Sequence, residues 1–153
     1  MSRAWRLPLA GLAVIALGAC TVGPNSSYVG PIDAPADAQV LAAGMADFMA
    51  GRLPAASTIV ALDPIAPGQA GNAVTPALVT ALRERGFAIA NEHQAGMPGS
   101  HRLRYWVTPL DNGDLVRLTV DGTEASRFFV RNTAGTLQAA GPYMVRLSAE
   151  AAS

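Results

Sequence analysis

The chain has 153 residues and a formal net charge of zero, with eleven Arg and no Lys balancing eleven Asp plus Glu. That length supports one ordinary domain, and zero net charge excludes a broadly basic nucleic-acid binder. A single Cys excludes an intramolecular disulfide framework and every Cys-rich metal site.

Half of the residues are hydrophobic, but 30 are Ala, so the core of large side chains is thinner than that fraction suggests. The first segment is set apart by its pattern. Arg3 and Arg6 form a positive head, and the apolar run from Leu7 to Leu17 is too short for a spanning helix, which needs about 20 residues. It reads as a signal peptide. The run ends in Leu17-Gly18-Ala19-Cys20, which resembles a bacterial lipobox, with cleavage between Ala19 and Cys20. Small side chains beside the scissile bond suit the peptidase, and the Cys20 thiol would carry a diacylglycerol, with a fatty acyl chain on the new amino terminus. Two or three such chains hold a protein firmly on a bilayer. Thr21 stands where an Asp would, by resemblance to known lipoproteins, retain the protein at the inner membrane, so the expected address is the outer membrane of a Gram-negative cell, with the domain in the periplasm. The mature chain would keep nine Arg against eleven acids. Without a polybasic stretch, the lipid alone is expected to bind the membrane.

The expected divisions are 1–19 as signal peptide, 20–36 as lipidated Cys and flexible tether, 37–148 as an α+β domain, and 149–153 as a frayed tail. The tether holds three Pro and no periodicity. Its Tyr28, Val29 and Ile32 read either as stray apolar residues or as a strand added to a partner.

Asp37 is placed to cap a helix over 38–52, with Leu41, Met45, Phe48 and Met49 on one face. The uncharged β-branched run 57–62 reads as a central strand. Thr75-Pro76 opens a second helix, Thr75 as N-cap, and Gly86 closes it. A short strand over 87–90 completes a β-α-β unit. Strands 101–110 and 114–120 flank Asn112-Gly113, the strongest short hairpin signal. A turn on those two residues would pair Val107 with Leu118 and Tyr105 with Val120 on a core face, and Trp106 with Thr119 on a solvent face. Asp121-Gly122 turns into a strand over 124–131, and a last strand over 137–147 is broken by Gly141-Pro142. The expected fold is α+β, two helices packed on one face of a mixed, mostly antiparallel sheet, in the order α-β-α-β-β-β-β.

Catalytic signals are absent from the pattern. His93, His101 and Glu92 lack metal-ligand spacing, no Gly-x-Ser-x-Gly elbow or phosphate loop occurs, and the aspartates near the hairpins are explained by turn chemistry. No catalytic residue, metal or cofactor is therefore expected, apart from the covalent lipid on Cys20. Arg102, Arg104, Arg117, Arg127 and Arg131 crowd the strand region around Trp106. They read either as a solvated face or as a protein contact, with Arg104, Trp106 and Arg117 as its candidates. An envelope address argues against nucleic acid.

Read together, the lipobox, the Ala-rich helix ending in Arg52-Leu53-Pro54, the run Ser57-Thr-Ile-Val-Ala-Leu-Asp-Pro64, the segments 76–90 and 103–111, and Ala139-Ala-Gly-Pro-Tyr-Met-Val-Arg146 resemble the conjugal-transfer lipoprotein family TrbH over residues 1–147. The resemblance implies a structural component of a conjugative type IV secretion, or mating-pair formation, complex. It implies larger outer-membrane-ring proteins as partners and a multi-copy ring, with the segment from Tyr28 to Ile32 docking on one of them. An accessory lipoprotein of an envelope transporter or assembly system, binding a protein or lipid ligand, is the alternative.

Overall fold

A computed structural model describes residues 25–90 and 96–147. The signal peptide, Ala19, Cys20, Glu92, His93 and the tail 149–153 lie outside the described residues. The fold is α+β as expected, two helices against a mixed, mostly antiparallel sheet. The order α-β-α-β-β-β-β undercounts the strands. The six runs read from the sequence become eight strands, because one precedes the first helix and the last run is split.

That first strand corrects the expected tether. Residues 28–29 form β1 (Tyr28–Val29), which pairs in parallel with β4 (Ser100–Leu110). Ser27 is fully buried: its amide donates to the Pro64 carbonyl, its carbonyl accepts from the Ala66 amide, and its hydroxyl oxygen accepts the Tyr105 amide. Residues 27–29, expected in the tether, are therefore part of the folded domain. The apolar residues of the segment satisfy their own sheet, so no partner strand is needed to bury Val29, which is 2% exposed. Ile32 packs against the same core.

Helix α1 (Pro35–Ala50) starts earlier than expected, with Pro35 in its first turn and Ala34 as its N-cap. Asp37 is thus inside the helix and makes no cap. Leu41, Met45 and Met49 are fully buried as the spacing predicts, while Phe48 lies at the margin of the core. Strand β2 (Ile59–Leu62) leads to α2 (Val74–Glu84) and β3 (Ala88–Ile89), and β2 pairs in parallel with both β3 and β4. Thr75 is not the cap of α2. The Asn72 carboxamide oxygen accepts the Thr75 amide at 2.8 Å, so Asn72 does the capping. The other end matches expectation. Gly86, at φ 90°, is the left-handed residue, with its amide bonded to the Arg83 carbonyl and that of Phe87 to the Leu82 carbonyl.

β4, β5 (Gly113–Val120) and β6 (Thr123–Arg131) form an antiparallel meander. The first hairpin turns on Asp111-Asn112 and not on Asn112-Gly113. Leu110 pairs with Gly113, Val107 with Val116, Tyr105 with Leu118 and Trp106 with Arg117. The register moves by two residues, so the faces assigned from the sequence survive. Gly113 is needed in the strand: at φ 150°, a Cβ there would overlap the Phe129 carbonyl. The second turn, Asp121-Gly122, has both residues at positive φ, as a two-residue hairpin requires.

The last run becomes β7 (Leu137–Ala139) and β8 (Met144–Leu147), both antiparallel to β6. Between them residues 140–143 face only two residues of β6, the break expected from Gly141-Pro142. The bulge turns Tyr143 onto Phe48, ring centroids 4.7 Å apart. The helices cover one face of the sheet, burying Leu103, Tyr105, Val107, Val116, Leu118, Val120, Ala125 and Phe129.

Candidate functional site

Among the described residues no helix covers the opposite face of the same strands. Strict alternation along β4 sends Leu103, Tyr105 and Val107 into the core and Arg102, Arg104 and Trp106 outward. Across the ladder Arg117 of β5 stands directly opposite Trp106, and Tyr28 of β1 lies beside Trp106 on its other side. The Trp106 ring is thus flanked by two guanidiniums, with the Arg104 Cζ at 5.7 Å and the Arg117 Cζ at 5.4 Å from its centroid. Cations at such distances are held by the ring quadrupole.

One buried acid organises the two arginines on β4. β2 stops at Leu62, and β1 takes over the edge of β4 only at Trp106. Asp63 sits at this gap with its side chain 4% exposed, its amide bonded to the Leu103 carbonyl. Its Oδ1 accepts from Arg102 Nε at 2.9 Å and Nη2 at 2.6 Å, and its Oδ2 accepts from Arg104 Nε at 3.1 Å. Arg104 Nη2 also donates to Asn25 Oδ1 at 2.8 Å. A carboxylate taken from water needs such charged donors. From the sequence the strand ends at residue 62 and Asp63 has no role, so the clamp is found only in the fold. An acid next to a β-branched run and two arginines spaced i, i+2 on a later strand are its only trace in the sequence.

Of the six residues expected at a partner contact, the structure brings Tyr28, Arg104, Trp106 and Arg117 into one patch. It removes Val29 to the core and half-buries Ile32. The patch holds three guanidiniums, Arg102, Arg104 and Arg117; Asp63 pairs with the first two, and Glu124, paired to Arg146, lies on the same face one row from Arg117. Arg117 is exposed and makes no ion pair among the described residues. Such a face offers bidentate donors for acidic groups and an aromatic surface between them.

The sheet also ends in an unsheltered edge. Among the described residues β8 pairs with β6 alone, and its Met144 and Leu147 are 77% and 74% exposed, with Val145 at 49%. Arg146, paired to Glu124 at 2.7 Å, is its one charge.

The titratable groups elsewhere have structural roles. Arg131 Nη2 donates to Asp37 Oδ2 at 2.8 Å and Asp33 Oδ2 at 3.1 Å, fastening the first turn of α1 to β6. Asp114 is buried beside them, and its pKa is raised chiefly by that burial and next by the charge of Asp37, against the opposing pull of Arg131. Burial likewise pushes the Tyr105 phenol up, opposed by its bond to the Thr75 hydroxyl at 2.7 Å. His101 Nδ1 lies 2.5 Å from Asp121 Oδ2 at the hairpin turn, with no third ligand beside it. Among the described residues no group of three His, Cys, Asp or Glu is placed to hold a metal ion, and no helix is long and apolar enough to cross a membrane.

No curated protein and no solved structure matches the chain. A family model described as conjugal transfer protein TrbH does match, over residues 23–147, so that it takes in β1, both helices and the whole sheet. On that match the chain belongs to the TrbH family of conjugal transfer proteins.

Proposed function

We propose that the protein acts in conjugative transfer as an outer-membrane lipoprotein and a structural component of the type IV secretion, or mating-pair formation, complex. In this reading Cys20 carries the lipid, the domain lies in the periplasm, and the partners are larger proteins of an outer-membrane ring that holds several copies. The protein works by binding and performs no catalysis. Family membership supports the role in transfer.

The observation that carries the structural role is β8. A natural sheet edge is ordinarily shielded by charge, Pro or a covering element, because its free amides and carbonyls recruit other strands. This one presents Met144, Val145 and Leu147 with a single charge, itself neutralised by Glu124. An edge of that kind suits a strand from a neighbouring subunit.

The test combines Cys20→Ser with affinity purification from gently solubilised membranes of mating cells. The wild-type protein is expected in a large particle with two or more bigger secretion proteins. Cys20→Ser is expected to leave uncleaved or misplaced precursor and to lower transfer frequency at least about tenfold, since in this reading the lipid holds the protein on the membrane. Normal processing, membrane retention and transfer in the variant would refute the anchor. A wild-type protein running near monomer mass, free of secretion proteins, would refute the structural role.

A further inference from the structure

We infer that the Arg and Trp face seats on the anionic phospholipid head groups of the bilayer that holds the Cys20 lipid; this rests on the lipoprotein reading above. The first argument is length. A tether reaching residue 36 would let the domain stand as much as ~50 Å off the membrane. Since Asn25 is already bonded to the sheet, at most residues 21–24 separate Cys20 from the fold. Five Cα steps of at most ~3.6 Å hold the Asn25 Cα within about 18 Å of the Cα of lipidated Cys20.

The second argument is direction. Asn25 does not leave the domain at a neutral place. Its side chain is bonded to Arg104 on the uncovered sheet face, three residues ahead of Tyr28 on that same face. The short leash thus ends on the patch itself, and the surface nearest the bilayer is the one bearing Arg102, Arg104, Trp106 and Arg117.

Charge and chemistry are the third. A mature chain with nine Arg against eleven acids has no net attraction to anionic lipid, and from composition alone the domain is expected to stand clear. The fold gathers four of those nine arginines, Arg102, Arg104, Arg117 and Arg146, on one face against the carboxylates of Asp63 and Glu124. Trp and Tyr favour the head-group layer, where one end of the ring is apolar and the other wet, and guanidiniums beside them pair with phosphates. Held by its acyl chains, the protein needs only weak contacts to fix the orientation of the domain, because the anchor makes the second contact intramolecular.

The sequence supplies a clean probe. Trp5 lies in the signal peptide, so Trp106 is the sole Trp of a processed chain. The lipoprotein, purified from membranes, is reconstituted in vesicles of phosphatidylethanolamine and phosphatidylglycerol whose acyl chains are brominated, and the mass of the N-terminal peptide is measured in parallel. Seating predicts a blue-shifted Trp106 emission reduced about twofold by the bromolipid, with shielding from aqueous acrylamide. Arg117→Glu should abolish most of that quenching. Arg83→Glu, an exposed position on α2 with the same change in charge, should leave it intact.

Trp106 open to acrylamide and unquenched, on a chain whose Cys20 bears its lipid, would overturn the seating and leave the lipoprotein reading standing. So would shielding that appears only when larger secretion proteins are bound, which would give the face to a protein. A Cys20 without lipid would overturn both, and the peptide mass separates that case from the others.

Discussion

The two faces of the central strands are built from alternate residues of the same peptide and obey different rules. On the covered face Leu103, Tyr105, Val107, Val116 and Leu118 are fully buried. There, each side chain is held by close packing, and volume is what counts. On the uncovered face Arg102, Arg104, Trp106 and Arg117 meet water; one buried carboxylate holds the first two, and the Trp106 ring lies between Arg104 and Arg117. The first face stabilises the domain; the second is free to bind. The difference shows how one set of strands can supply both a packed core and a charged, aromatic surface when its helices lie on one side.

That division has measurable consequences. The largest effect belongs to the packed face: Leu118→Ala is expected to cost about 2–5 kcal/mol in urea unfolding, since the two helices cannot close on the cavity. A loss below about 1 kcal/mol would mean that this face is loosely packed. Asp63→Asn tests whether the uncovered face has a rigid frame of its own. It keeps the shape and removes the charge to which Arg102 and Arg104 donate, and about 2 kcal/mol should be lost. Half of that donor set is open to water, the Arg102 side chain being 59% exposed, so the loss stays below that of a wholly buried pair.

Asp114 sits at the point where the covered face reaches the chain reversal, and it sharpens the contrast through pH. Its folded-state pKa is raised by burial and by Asp37. Its contribution is therefore fully favourable below the unfolded pKa of 3.8 and is lost as pH rises through the higher folded value. Asp114→Asn should raise the melting temperature at pH 7, and that gain should vanish below about pH 3.8. A gain that persists at low pH would assign the effect to packing and not to charge. The smallest change is expected of Arg117→Ala. Stability should stay within about 0.5 kcal/mol of wild type, because an exposed side chain bound only to a ring face adds little. A larger loss would make this arginine part of the scaffold.

Much of the fold was legible because it is set by neighbours in the chain. The i, i+4, i+8 spacing of Leu41, Met45 and Met49 located the buried side of α1, and the period of two in 101–120 sorted core from solvent without knowledge of the register. Gly86 closed α2 as a left-handed residue must. From the sequence, Arg104, Trp106 and Arg117 read together as one strand face, whereas Tyr28, which joins them in the patch, falls in the tether. Tyr28 lies nearly eighty residues from Trp106, and no local pattern says that a Pro-rich segment will pair with a strand so distant.

The sequence by itself determined the composition of each face, the helix stops, the second hairpin turn and the broken last strand, all short-range matters of sterics and periodicity. Tertiary structure decided the rest. Gly113 serves a strand position pressed against the Phe129 carbonyl, which moved the first turn to Asp111-Asn112. Asp63 became a clamp because β2 ends where two arginines of β4 need an acceptor. Residues 25–29 left the tether for the sheet because β4 is longer than β2 and its remaining amides and carbonyls needed partners. Backbone groups of a long central strand must be satisfied by something, and only the folded chain decides which segment is near enough to do it.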